Sequence, residues 1–243
     1  TDELTWMEAR DLIENGYTQV IVPTGGIEQN GPFLSTGKHN VILQAACPEI
    51  AKKIGNTLCA PIIKFVPEGN IEPPSGAMLF PGSISLRAET YHMLLDDIAS
   101  SLKQAGFKHI IFFGDSGGNQ SGMEIVAGQL NQRWTDSGVL AHYIPQYYNP
   151  GWEETERFTK EILGVEETSD DGHHDDIWVT AMMMVTDPEQ VRYQQRVDVG
   201  LATINGVDIS SIDAPIELGN KMLEFGAEFT VDAIRKAIKS SKH

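Results

Sequence analysis

The stretch Val22-Pro-Thr-Gly-Gly-Ile-Glu-Gln-Asn-Gly-Pro-Phe-Leu-Ser-Thr-Gly-Lys-His-Asn40 decides how this chain is read. It leaves the apolar run Gln19 to Pro23 through a glycine-rich turn and carries Glu28, Lys38 and His39 in one loop. A buried strand ending in such a loop is how an open α/β sheet delivers chemical groups to its carboxyl edge. The same residues also have a plainer use. Gly25-Gly26 and Gly31-Pro32 are turn formers, and Asn40 suits a helix N-cap.

Apolar runs alternate with helix-period segments along the chain, the pattern of a parallel sheet covered on both faces. A helix is predicted over 40–54 with a kink or break at Pro48, then a strand over 58–66 and a Pro/Gly-rich loop over 67–76. Tyr91, Leu94, Leu95, Ile98 and Leu102 mark the clearest helix, 87–105, which Gly106 ends. A third strand over 109–113 leads through Gly114-Asp-Ser-Gly-Gly-Asn119 into a helix reaching Trp134, with Asn119 or Ser121 as its cap. A fourth strand is expected over 139–147. Helices follow at 153–163, at the Met-rich 177–185 and at 215–240, the last with a basic tail to His243.

At 243 residues, with 41% hydrophobic content, the chain is expected to form one domain spanning 1–243. Its 18 basic and 34 acidic residues leave a net charge of −16, which argues against nucleic acid or anionic membrane as partners. No apolar run approaches the ~20 residues that cross a bilayer. No secretory leader is visible, though residue 1 can follow a removed one, so the compartment is open between cytoplasmic and periplasmic or secreted. Cys47 and Cys59, each among apolar neighbours, read as buried free thiols.

Gly114-Asp-Ser-Gly-Gly118 has the letters that surround the nucleophile of chymotrypsin-like proteases, but those are double β-barrels. Here no matching histidine motif precedes Ser116, and the sequence nominates no base for it. The turn is read instead as a strand end whose glycines permit close backbone approach. His173-His174-Asp175-Asp176 offers four potential metal ligands in a row, more than one ion can use. Asp175 or Asp176 suits the cap of the next helix, which leaves one histidine for a site. Met182-Met183-Met184 is core filling, and His92 is a surface or packing residue.

Taken in order over roughly residues 5–235, these segments resemble the creatininase family of metal-dependent amidohydrolases. The nearest subgroup pattern reads Gly-Gly-Thr-Glu-Gln-Asn-Gly-Pro-His and then Gly-Lys-His-Asn; here it is Gly25 to Phe33 and Gly37 to Asn40. Val66-Pro-Glu-Gly69, Ala77-Met-Leu-Phe-Pro-Gly-Ser83, Gly114-Asp-Ser-Gly-Gly118 and Gly172 to Ala181 match its later segments. The resemblance implies a three-layer α/β/α fold with a mostly parallel central sheet, and assembly as a homo-oligomer, often a hexamer. It implies hydrolysis of an amide or cyclic C–N bond in a small-molecule substrate by water bound to zinc or manganese.

Carried over position by position, Glu28, His39 and His174 are the expected metal ligands, and with Asp115 the expected catalytic groups. The departures are Phe33, Ala77 and Ser116 at motif histidines and Val179 at an acidic position. None of the four is a good zinc ligand. Phe33, Ala77, Ser116, Asn119 and Trp178 are expected to line the substrate pocket. Two readings stand: a hydrolase with an atypical or depleted metal site, and a catalytically degenerate member that binds a small ligand or serves as a structural subunit.

Overall fold

The computed structural model describes residues 1–170 and 172–241, so Lys242 and His243 of the basic tail lie outside the described residues. Four parallel strands form the main sheet in the order β2-β1-β3-β4: β1 (Gln19–Thr24), β2 (Thr57–Cys59), β3 (His109–Gly114) and β4 (Leu140–Tyr143). The helices are α1 (Trp6–Glu14), α2 (Lys38–Ile54), α3 (Ala88–Ala105), α4 (Gln120–Arg133), α5 (Gly151–Glu161), α6 (Ile177–Thr186), α7 (Tyr193–Asp198) and α8 (Asp213–Ser240). A small antiparallel hairpin, β5 (Thr203–Ile204) with β6 (Val207–Asp208), stands apart from the main sheet.

The period-2 alternation of strand side chains divides the core in two. Val20, Val22, Ile110 and Phe112 point to one face, where they pack with Tyr91 and Leu95 of α3 and Met123 and Val126 of α4. Ile21, Ile111 and Phe113 point to the other, against Ile42 and Leu43 of α2, Met183 of α6 and Met222 of α8. The result is the expected α/β arrangement of a parallel sheet between helical layers. β1 and β3 pair from Gln19↔His109 to Thr24↔Gly114, so both strands end at the same level. Strand order reverses between them, and the crevice beyond their carboxyl ends is the switch point where open α/β sheets place ligands.

Several local expectations are corrected, each for a physical reason. The second strand is regular only over Thr57–Cys59: Ala60 N–H still donates to Ile21 O, but the next bond runs from Ile63 N–H to Pro23 O, an extra residue that breaks the register, and beyond it come only the isolated bridges Thr24↔Ile63 and Val66↔Ser85. The fourth strand stops at Tyr143, and Pro145 begins a 3-10 turn instead. α2 runs through Pro48 without a break, and the carbonyl that Pro48 cannot satisfy belongs to exposed Gln44. Asn40 lies inside α2 rather than capping it. Its Nδ2 donates to Gly26 O at 2.7 Å and its Oδ1 accepts from Gly26 N–H at 3.3 Å. A Cβ on Gly25 would stand 2.0 Å from Asn40 Oδ1, which is why the loop carries glycine there. Asn119 holds the N-cap position of α4, but its side chain makes no cap bond to the helix. Ser116 Oγ accepts from Gly118 N–H, while Asn119 Nδ2 donates to Thr24 O and Gly25 O at 3.1 and 2.9 Å and ties the two strand-end loops together.

The free-thiol expectation is also corrected. Cys47 of α2 and Cys59 of β2 form a disulfide across a Cα–Cα distance of 6.3 Å, because α2 runs back alongside the strand that follows it. With the cysteines only 12 positions apart in sequence, loop-closure entropy puts its contribution at about 3 kcal/mol. Cys47→Ser with Cys59→Ser is expected to lose about that much stability in urea unfolding, and reduction of the native protein should give the same loss.

Candidate functional site

A cleft of about 1050 Å³ opens at the carboxyl edge of β1 and β3. The loop after β1 and the first turn of α2 bring Glu28, Lys38 and His39 to it; the turn after β3 brings Ser116; the loop before α3 brings Glu68. Tyr148, Trp152, His174, Asp176 and Trp178 complete the opposite wall.

His39 is the buried centre of this group. Its Nε2 lies 2.8 Å from Glu28 Oε1 and its Nδ1 lies 3.1 Å from Asp115 Oδ2. Asp115 is fully enclosed and also accepts from Trp152 Nε1 at 3.2 Å, and the Trp152 ring stacks on His39 at 6.0 Å. Burial and the Lys38 charge pull the His39 pKa down, but the bonds to Asp115 and Glu28 outweigh them and leave it raised. A ring with a carboxylate on each nitrogen is best satisfied as an imidazolium donating twice. Burial would raise Glu28, yet His174, His39 and Lys38 together hold its carboxyl well below the usual carboxylate range. His174 is largely exposed, with Nδ1 3.9 Å from Glu28 Oε1, an ion-pair distance rather than a hydrogen bond.

Lys38 is 1% exposed; its Nζ donates to His174 O at 3.3 Å and sits 5.8 Å over the Trp152 ring. Burial lowers its pKa, while the charges of Glu28, Asp115, Asp176 and Glu68 oppose the shift. Glu68, 7% exposed, accepts from Ser116 Oγ at 3.0 Å through Oε2, and its Oε1 has no hydrogen-bond partner among the described residues. Burial and the neighbouring Glu28 charge push Glu68 up to about 7, against the pull of His39, Ser116 and Lys38. Asp176 is pushed up to about 6 by burial and by Glu167 and Asp175.

The cleft therefore brings together Glu28, His39, His174, Ser116 and Trp178, with Asp115 directly behind His39. It does not bring in three residues expected to line it. Phe33 stacks beneath Arg196 at 4.4 Å beside a separate cavity of about 120 Å³. Ala77 belongs to the 3-10 turn Gly76–Leu79, and Asn119 is enclosed by its bonds to β1. Glu68 was not singled out by the sequence, although Val66-Pro-Glu-Gly69 repeats the logic of the first loop, a lone carboxylate between turn formers after an apolar run. Asp176 holds the N-cap position of α6 without a side-chain cap bond.

As arranged, this donor set does not fit zinc or manganese. Both His39 nitrogens are engaged by carboxylates, and Glu28 Oε1 is taken up by one of them, so a metal would have to displace these bonds. Among the described residues no group of three or more His, Cys, Asp or Glu side chains is placed to hold a metal ion.

Comparison with known proteins gives a consistent picture of the fold. The family model for creatininase, described as creatinine amidohydrolase, matches residues 2–222. A creatinine amidohydrolase of Pseudomonas putida is 23% identical over 259 residues, covering 96% of this chain and 95% of the relative. A manganese creatininase structure superimposes with a TM-score of 0.69 at 21% identity, over 97% of each chain. A substituted creatininase complexed with creatine gives 0.69 at 20% identity over 97% of each chain. A substituted Zn–Zn creatininase gives 0.67 at 20% identity over 97% of this chain and 96% of that one.

The raised Glu68 pKa has a measurable cost. A carboxyl at about 7 in the folded state and near its ordinary value unfolded gives stability that is complete below the unfolded pKa and is lost as pH rises through about 7. Glu68→Gln removes that linkage. Between pH 5 and pH 8, urea unfolding of wild type should lose roughly 2–3 kcal/mol more than the variant does.

Proposed function

We propose, from the premise that this chain belongs to the creatininase family, that it acts on the C–N bond of a small amide or cyclic amide-like molecule bound in the cleft. Its own side chains carry the protons, with no zinc or manganese ion. The observation that carries this reading is the bracketing of His39 between Glu28 and Asp115. That chain of charges, with Lys38 beside it, supplies internally the positive charge that a metal would bring to clustered carboxylates. Glu28 is held too acidic to serve as a base at neutral pH, and Asp115 has no open face. Glu68, titrating near neutrality at the cleft wall, is the group suited to proton transfer. Tyr148, Trp152 and Trp178 offer flat apolar surface to a ring.

A second reading, a family member that binds a small ligand or serves as a structural subunit without turnover, is favoured by Phe33, Ala77 and Val179 at motif positions for ligating residues. Assembly as a homo-oligomer, by resemblance a hexamer, is supported by exposed Phe65, Ile71, Leu79, Phe80 and Ile84, an apolar group that a lone chain would leave wet. The Cys47–Cys59 disulfide suits an oxidising compartment. No helix among the described residues is long and apolar enough to cross a membrane.

Metal content, turnover and ligand binding decide between these readings. Protein purified without chelator should carry well under one equivalent of zinc or manganese, unchanged after either metal is added and the excess removed. Hydrolysis of lactams, cyclic imides or creatinine should be insensitive to chelator. Stoichiometric metal that restores activity to chelated protein would overturn the metal-free reading. A thermal shift with one of these compounds, without any turnover, would favour the binder. Sedimentation analysis should show a closed oligomer, and a monomer at micromolar concentration would remove that part of the proposal.

A further inference from the structure

Ser116 and Glu68 make a contact that the metal-centred pattern of the motifs does not explain. Ser116 leaves the end of β3 in the turn entering α4, and Glu68 stands in the loop ahead of α3. The Ser116 hydroxyl donates to Glu68 Oε2 at 3.0 Å, and both residues line the cleft while being almost wholly enclosed by protein. The carboxyl is fixed from behind. Glu68 N–H donates to Ser85 Oγ at 2.9 Å, and Glu68 O accepts from Ala77 N–H at 3.0 Å. A Cβ on Gly26 would meet Glu68 Oε1 at 2.0 Å, so the first loop is shaped to admit this side chain.

A hydroxyl and an oriented base within hydrogen-bond reach, at a strand-to-helix turn on a ligand cleft, is the arrangement of an activated nucleophile. Three other groups of the cleft are committed: Asp115 and both His39 nitrogens to each other and to Glu28, and Lys38 to His174 O.

We propose that Ser116 is a nucleophile and Glu68 its general base, and that the cleft acylates Ser116 with the carbonyl of its substrate. This rests on the C–N bond reading of the cleft and names the route. As Ser116 Oγ bonds to the carbonyl carbon, its proton passes to Glu68 Oε2. As the C–N bond breaks, Glu68 returns that proton to the leaving nitrogen. Water then attacks the acyl ester, giving a proton to Glu68, which hands it to Ser116 Oγ. The products are a carboxylic acid and an amine, or one ring-opened molecule bearing both. The substrate class that follows is a small activated or ring-strained amide, and esters of the same acid should react faster. A carboxyl that titrates at about 7 can take and return a proton at neutral pH. Besides burial, the groups that set its charge are Glu28 on the loop after β1, His39 and Lys38 at the start of α2 and the Ser116 hydroxyl; Tyr91 of α3 and Tyr148 ahead of α5 also face it, and its charge raises theirs.

The test uses the intact protein and a fluorophosphonate, which phosphonylates activated serines without needing the natural substrate. Peptide mass spectrometry is expected to find one adduct, on Ser116, and none in Ser116→Ala. Labelling should be on the order of 100-fold slower in Glu68→Gln, whose amide keeps the contact but cannot accept the proton, and partly restored in Glu68→Asp. In wild type the rate should climb as pH rises through about 7, and in Glu68→Gln that rise should vanish. Circular dichroism and thermal unfolding of each variant separate lost chemistry from lost fold. Folded wild type that gives no Ser116 adduct, or folded Glu68→Gln that labels at the wild-type rate, would overturn the proposal. Chelator-insensitive amide turnover without labelling would remove the serine route alone and leave the metal-free reading standing.

Discussion

The pairing of β1 with β3, in register to their last residues, is the constraint on which the rest depends. It buries Val20, Ile21 and Val22 of one strand and Ile110, Ile111, Phe112 and Phe113 of the other between two helical layers. It also ends both strands at one level on opposite sides of the point where strand order reverses. The loops that leave Thr24 and Gly114 have no neighbouring strand between them and must open into the same space. Asn119 fastens one loop to the other from beneath, and Asn40 clasps the first loop onto α2. The site's groups thus stand on hydrogen-bonded backbone whose position follows from the ladder, not on free loops.

Within that frame the charges are arranged around a deficit of water. Two carboxylates, an imidazole and an ammonium lie side by side with little exposure, and each makes the others tolerable. Buried opposite charges of this kind hold one another in place because removing any single member strands its partner. Glu68 stands at the edge of the cluster and receives the residue of these fields. Burial pushes it upward, the Glu28 charge adds to that push, and His39, Ser116 and Lys38 do not pull it all the way back. One cleft therefore holds a carboxylate locked in its charged form and a carboxyl free to change.

Much of this was legible in the chain. The runs Gln19 to Pro23 and His109 to Phe113 announced the central strands, and the heptad-like spacing of Tyr91, Leu95 and Leu102 announced α3. Other signals were present and unread. Thr5 and Glu8 form the capping box that starts α1, and Asn205-Gly206 is the turn of the β5–β6 hairpin, with both residues at positive φ. Pro145 had the chemistry to cut short the last strand. The contacts that could not be read depend on which segments meet in space. The disulfide needs α2 folded back beside β2, and the Ser116–Glu68 contact joins residues separated by 48 positions. Phe33, Ala77 and Asn119 were grouped with the cleft by motif position, whereas packing sends each elsewhere.

The glycines of the first loop carry a wider implication. At Gly25 and Gly26 any side chain would collide at 2.0 Å with Asn40 or Glu68, and neither collision involves a reacting atom of a bound metal or substrate. Gly25 is held by clearance between two pieces of protein, whatever reaction occurs above it, whereas Gly26 makes room for the carboxyl of Glu68. A signature built largely from such residues is a record of architecture. Family membership inferred from it will gather chains that keep an ancestral reaction, chains that have exchanged it for another, and chains that have set it aside.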